Sequence, residues 1–157
     1  MNKEMNVLSE LLVDTFKDIL EIERKSLQNG DFRDVSVTEM HTIEAIGVDS
    51  VKSMSEVAFK LDITVGTLTT AINHLVKKGY VERMKTQRDR RIVQVKLTKK
   101  GELAFRIHEK FHSDMVNETI EGLSQEEEEI FMKSLEKLNL FFKERYKLKD
   151  SGGFKNE

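Results

Sequence analysis

The chain has 157 residues and a net charge of −2, a length that suits one domain or a small domain with appended helices. It has no cysteine, so neither a disulfide framework nor a thiolate metal site is available, and no proline, which suits a mostly helical chain with short turns. No apolar run approaches the roughly 18 residues needed to cross a bilayer and no signal peptide opens the chain, so a cytoplasmic location without a membrane partner is expected.

Over residues 4–28, Met5, Leu8, Leu12, Phe16, Ile19 and Ile22 recur at helical spacing and make one face of a long helix, ended by Gly30. Phe32 and Val35 fall in a linker. Ser36 or Thr38 caps a second helix, whose buried side is Met40, Ile43 and Ile46 and which stops at Gly47. Val51 and Lys52 are candidates for a short third strand.

Ser53 and Glu56 have the spacing of a capping box, and Val57, Ala58 and Leu61 share one face of the short helix that follows. Asp62 and Ile63 make a turn. Thr64 caps the next helix, which carries a narrow apolar stripe of Val65, Leu68, Ile72, Leu75 and Val76. At 100° per residue its opposite side holds Gly66, Thr67, Thr70, Asn73, His74 and Lys77, with Thr69 beside them and no acid. Such a face suits a helix that reads nucleic acid. Lys77, Lys78 and Gly79 form a C-terminal signature.

Tyr80 to Met84 and Ile92 to Leu97 read as two strands, the second alternating Val93, Val95 and Leu97 with Gln94 and Lys96. The connection Lys85-Thr-Gln-Arg-Asp-Arg-Arg91 is strongly cationic. From His74 to Lys100 ten Lys or Arg stand against two acids, a local charge of +8 in a nearly neutral chain. A charge run alone can be a solvated surface. Beside a helix-turn-helix pattern it is the electrostatic footprint of a duplex binder.

Thr98 caps a further helix running to about Glu121, with Leu103, Ile107, Phe111, Met115 and Ile120 apolar. Ser124 and Glu127 form another capping box, and Glu126 to Glu129 sit where the helix dipole favours negative charge. Ile130, Phe131, Leu135, Leu138, Phe141 and Phe142 continue that last helix. From Asp150 onward the chain is short, polar and expected to be disordered. The fold class is therefore mainly α with a small β-wing, a winged helix-turn-helix plus long dimerisation helices. Its divisions are residues 1–34 for an N-terminal dimerisation helix, 35–100 for the DNA-binding domain, 101–148 for C-terminal dimerisation helices and 149–157 for the tail. The long helices are too apolar on one side for a small winged module to cover. They bundle within one chain or pack on a second copy. A homodimer is favoured, because a helix-turn-helix dimer can grip two major-groove faces about 34 Å apart.

The helix-turn-helix, together with Asp89-Arg90-Arg91 and the run from Ile92 to Gly101, resembles the MarR family of bacterial transcriptional regulators. Two further stretches, Asp34 to Ile43 and Arg106 to His112, are similar to the branch that represses fatty-acid biosynthesis genes in Gram-positive bacteria. The resemblance implies a regulator, not an enzyme, that binds an inverted-repeat operator in double-stranded DNA. On this reading Thr64, Thr67, Thr69, Thr70, Asn73 and His74 meet the major groove. Asn can bond bidentately to adenine, and a Thr methyl can pack on that of thymine. Lys77 and Lys78 hold phosphates, and Arg88, Arg90 and Arg91 reach the minor groove or its phosphates. By resemblance Arg91 inserts into the groove and Asp89 buttresses it.

His108-Glu-Lys-Phe-His112 is an H-E-x-x-H pattern, which on a helix can place two imidazoles on zinc with the Glu as base. A hydrolase would also need a third ligand and a substrate-binding edge strand, for which no candidate is found. A non-catalytic zinc held by Glu23, His41, His108 and His112, as in a zinc-responsive regulator of the same fold, is a second possibility. The third is that these histidines line a pocket or pair with acids. That pocket would lie among Phe16, Ile19, Ile22, Glu23, His41, Met40, Ile43, Phe105, His108, Phe111 and His112. Periodicity alone makes its apolar members ordinary core. The resemblance implies a ligand there, a long acyl chain delivered on acyl carrier protein that strengthens repression.

Overall fold

The computed structural model describes residues 3–48, 51–89 and 91–148. The elements among these are α1 (Lys3–Asn29), α2 (Val37–Ile46), β1 (Lys52–Ser53), α3 (Met54–Leu61), α4 (Val65–Lys77), β2 (Val81–Lys85), β3 (Val93–Leu97), α5 (Lys99–Ile120) and α6 (Gln125–Tyr146). The tail expected at 149–157 and the wing residue Arg90 lie outside the described residues.

Short polar side chains set the helix starts. Ser36, Ser53 and Ser124 each accept from the backbone N–H three residues on, and Glu39, Glu56 and Glu127 accept from the cap N–H in return. Thr64 and Thr98 cap α4 and α5 through their hydroxyls. These bonds satisfy donors that a helix leaves open in its first turn. Thr38, the alternative cap, lies inside α2, where its carbonyl accepts from the Thr42 hydroxyl at 3.0 Å.

Asp62 ends α3 in the left-handed region at φ 53°, which Asp tolerates better than most residues. The N–H groups of Asp62 and Ile63 return to the carbonyls of Phe59 and Ala58 at 3.2 and 3.1 Å, so the chain turns tightly into α4. Gly79, at φ 84°, redirects it from α4 toward β2.

The sheet is antiparallel in the order β1-β3-β2, with Lys52 opposite Val95 and Arg83 opposite Val95 from the other side. The third strand is thus Lys52–Ser53, with Val51 just outside it. Glu82 stands opposite Lys96, and their charges meet at 3.1 Å. Tyr80, expected to begin a strand, instead precedes β2 and is fully buried. Its N–H donates to Leu75 and its carbonyl accepts from Thr98.

Met40, Ile43 and Ile46 of α2, Val57 and Ala58 of α3, Leu68, Ile72 and Leu75 of α4, and Val81, Val95 and Leu97 of the sheet close one core. Phe32 and Val35, read as linker, join that core, Phe32 meeting the Tyr80 ring edge-on at 6.0 Å. The long helices contribute little to it. α1 buries only Glu23 and Leu27, α5 only Gly101, Ala104 and His108, and α6 nothing. Leu8, Leu11, Leu20 and Leu140 are between 58% and 64% exposed. No described helix is long and apolar enough to cross a membrane.

Candidate nucleic-acid interface

α4 buries Leu68, Ile72 and Leu75 completely, while Val65 and Val76 stay partly exposed at the flanks of that stripe. The other side presents Thr64, Gly66, Thr67, Thr70, Asn73, His74 and Lys77 to solvent. There is no acid on the helix to repel a phosphate. The Thr64 hydroxyl is 2.9 Å from that of Thr67 and accepts its N–H at 3.1 Å, so the cap also orders the first polar residues of the face. Thr69 donates to the Val65 carbonyl at 2.8 Å. The donor of its hydroxyl is thereby used within the helix, and its methyl is left for contact.

The tip of the β2–β3 wing is held by a compact set of bonds. The Thr86 hydroxyl donates to the Asp89 carbonyl at 2.6 Å and accepts the Asp89 N–H at 3.0 Å. The Asp89 carboxylate accepts the Arg91 N–H at 2.9 Å. Asp89 therefore supports Arg91 through the backbone. Arg88 and Arg91 remain exposed. Arg91, Asn73, Thr69 and Arg83 line one cleft between α4 and the wing.

Three lysines of the basic stretch are engaged by groups of the chain itself. Lys78, expected to hold a phosphate, donates to both oxygens of the buried Glu39 carboxylate at 2.9 and 2.7 Å and to the Asp34 carbonyl. This pairing has a physical cause. Lys78 caps the C-terminus of α4, and its stem reaches the start of α2, where Glu39 lies buried with His74 Nδ1 at 3.6 Å as its other basic neighbour. Burial pushes the Glu39 carboxyl up, but Lys78 and the Ser36 N–H outweigh it and hold the group below its ordinary range. Lys100 lies 4.1 Å over the Tyr80 ring and 3.8 Å from Asp34. Tyr80 donates to Asp34 at 2.6 Å, which lowers the Asp34 pKa, while burial and that same bond raise the phenol's. Lys96 is the third, paired with Glu82. The outward charge is thus narrower than the sequence count, and is carried by Lys77, Lys85, Arg88, Arg91 and their exposed neighbours.

A family model described as a winged helix DNA-binding domain matches residues 33–101. Streptococcus pneumoniae FabT, solved in complex with DNA, has a TM-score of 0.83 and 41% identity, over 89% of this chain and 98% of FabT. The transcriptional regulator SarZ of Staphylococcus haemolyticus is 32% identical over 83% of this chain and 85% of SarZ. Identity to the Bacillus subtilis regulator PchR is 27%, and the match spans 63% of PchR, just under two thirds of it. Escherichia coli MarR shares the fold, with a TM-score of 0.64 at 24% identity. The chain belongs to the MarR family. Like the MarR-family proteins it matches, it is a DNA-binding transcriptional regulator and not an enzyme.

Three of the four histidines of this MarR-family chain, His41, His108 and His112, meet where α1, α2 and α5 converge. Glu23 is buried, with its Oε1 2.9 Å from His41 Nε2, 3.3 Å from His108 Nε2 and 3.9 Å from His112 Nε2. His108 and His112 approach at 3.0 Å, so one nitrogen must donate and the other accept. Glu44 joins them, 3.5 Å from His108 and 3.9 Å from His112. Sequence reasoning missed Glu44, although it lies one turn beyond His41 on the same helix face. Burial, opposed by Glu44 and Glu23, lowers the His108 pKa. Glu109, the acid inside the H-E-x-x-H pattern, is exposed on α5, and the carboxylates at the histidines are Glu23 and Glu44.

The apolar part of the expected pocket does not assemble in one chain. Phe16, Ile19 and Ile22 are 45%, 37% and 46% exposed, whereas Met40 and Ile43 belong to the closed core. Phe105 and Phe111 are half-buried, Phe111 stacking on His108 at 5.9 Å. The cause is that α1 is buried only at Glu23 and Leu27, so Phe16 stands outside the core, with the Phe142 ring of α6 at 6.3 Å.

Proposed function

We propose that this regulator acts as a homodimeric repressor on an inverted-repeat operator. α4 enters the major groove of each half-site, and Arg88, Arg90 and Arg91 of the wing reach the adjacent minor groove or its phosphates. The observation that carries this reading is the pairing of an acid-free polar helix face with an exposed arginine tip across a single cleft. The likeness to FabT, solved on DNA, supports it. The regulated genes on this reading are those of fatty-acid biosynthesis. Support comes from the stretches Asp34 to Ile43 and Arg106 to His112 and from the 41% identity to FabT. The effector is an acyl chain borne on acyl carrier protein, which strengthens repression by favouring one spacing of the two wings.

Arg91→Ala should weaken operator binding about tenfold or more and lower the steepness of its salt dependence, measured by fluorescence anisotropy across a salt series. Unchanged affinity at physiological salt would remove the wing from the interface. Acylated carrier protein that leaves operator affinity unaltered would remove the effector.

A second reading is favoured by the Glu23, His108 and His112 donor atoms, which all lie within 4.8 Å of one another. Donors on a tetrahedral zinc stand about 3.3–3.5 Å apart, from bond lengths near 2.1 Å. The 3.0, 3.3 and 3.9 Å separations in this cluster bracket that spacing. Glu23, His41, His108 and His112 would hold the ion, which would tie α1 and α2 to α5. Protein purified without a histidine tag should carry about one zinc per chain by elemental analysis, and Glu23→Gln should lose it. Metal-free protein that takes up no zinc on titration would leave the cluster as a hydrogen-bonded pairing of histidines and acids.

A further inference from the structure

Asn73 and Arg83 meet in the angle between α4 and β2, the Arg83 guanidinium donating to Asn73 Oδ1. Both side chains are exposed and line the cleft shared with Thr69 and Arg91. Arginine has N–H donors and no acceptor, so this contact decides the sense of the amide: oxygen toward Arg83, amino group away from it. An asparagine that reads adenine uses both ends, its carbonyl accepting from N6 and its amino group donating to N7. Here the carbonyl is already engaged by a cation. The adenine amino group would have to share that oxygen, donor crowding donor. Guanine presents two acceptors, O6 and N7, to the same position, and a held-out amino group can donate to either, whereas thymine offers the single acceptor O4 beside a methyl group.

We propose that Arg83 is a positioning residue for sequence specificity: by holding the Asn73 carbonyl it makes Asn73 a donor, selecting an acceptor-only base edge, guanine, in each half-site. The inference rests on α4 lying in the major groove. Arg83 itself need not touch a base. Its role differs from that of Arg91, whose contact would be uniform across sequences.

The test is selection from randomised duplexes with the full-length protein, followed by affinity measurements on the selected site and its single-base variants. Asn73→Ala identifies the base pair that depends on Asn73. The wild type should prefer guanine there by about tenfold, and 7-deazaguanine should weaken binding. Arg83→Met should flatten that preference while leaving the other positions intact, and Arg83→Lys, which still offers a donor to the carbonyl, should restore most of it. Asn73→Asp keeps the pairing with Arg83 but presents only acceptors, so the preference should move to cytosine, whose N4 donates. An adenine preference at that position overturns the proposal. So does Arg83→Met selecting the same base with the same discrimination, or losing affinity equally on all sequences. Arg83 is exposed and outside the core, and a thermal melt of Arg83→Met checks that the fold is kept. Should the wild type select no common sequence at all, it is the groove-bound helix that has failed. A clear operator unmoved by Arg83→Met leaves that helix standing and removes only this inference.

Discussion

A Cβ built on Gly101 would lie 2.1 Å from the Tyr80 carbonyl oxygen and 3.2 Å from the Leu97 side chain. The first turn of α5 is therefore pressed onto the end of the wing with no room for a methyl group. Nothing else at this helical position disfavours alanine, which has the better helix propensity. Gly101→Ala should nevertheless destabilise the protein by roughly 1–3 kcal/mol, read from a urea melt, because backbone must move to admit it. A neutral or stabilising result would show that the joint between α5 and the sheet is looser than drawn. Lys78 teaches a related lesson. Its charge and its place at the end of α4 resemble those of Lys77, yet it closes on Glu39 and Asp34 while Lys77 stays exposed.

At the scale of elements, the end of α4 and the turn after it are tied by two carboxylates, Asp34 before α2 and Glu39 in its first turn. Asp34 is held below its ordinary value of 3.8 by the Tyr80 hydroxyl, with Lys100 adding to the effect. Glu39 is held below 4.5 by Lys78 and Ser36 against the cost of burial. Groups whose folded pKa is depressed contribute stability that is complete above the unfolded value and disappears as pH falls through the folded one. The stability these two carboxylates contribute should therefore be complete from neutrality down to about pH 5 and fall as the pH drops below 4.5 and 3.8, added to a decline that starts near 6.5 because burial lowers the His108 pKa. Urea melts at a series of pH values measure this, and Lys78→Met should flatten part of the fall. A stability that stays level to pH 3 would show that these pairs do not hold α4 in place.

For the whole molecule, the question is what covers the apolar sides of α1, α5 and α6. Fully burying one leucine gains about 1.5–3 kcal/mol, so a set such as Leu8, Leu11, Leu20 and Leu140 is a substantial reserve of association energy. On the proposed homodimer that reserve is used between two copies. Leu11→Glu combined with Leu140→Glu should then sediment as a monomer at micromolar concentration and lose most operator affinity, since one half-site contact remains. A wild-type chain that is itself monomeric at that concentration would defeat the paired arrangement. The histidine cluster belongs to this scale too. It joins α1 and α2 to α5 through Glu23, His41 and His108.

The elements were legible because their causes are local. Ser36, Ser53, Thr64, Thr98 and Ser124 act on N–H groups within three residues, and the apolar spacing of α4 repeats within each turn. The polar face of that helix and the arginines of the wing could be named for the same reason, as could the grouping of Glu23, His41, His108 and His112. The partners of individual charges were not legible. Glu39 with Lys78, Tyr80 with Asp34, Glu44 with His108 and Arg83 with Asn73 join residues from different elements, and nothing in a run of residues fixes which stems converge. The tertiary structure decided which cations face outward, which end of the Asn73 amide is free, and that Phe16 and Ile19 stand clear of the core. Electrostatic partnership and burial depend on distance in space, and in this chain that distance is set by how α1, α2, α4 and the sheet pack on one another.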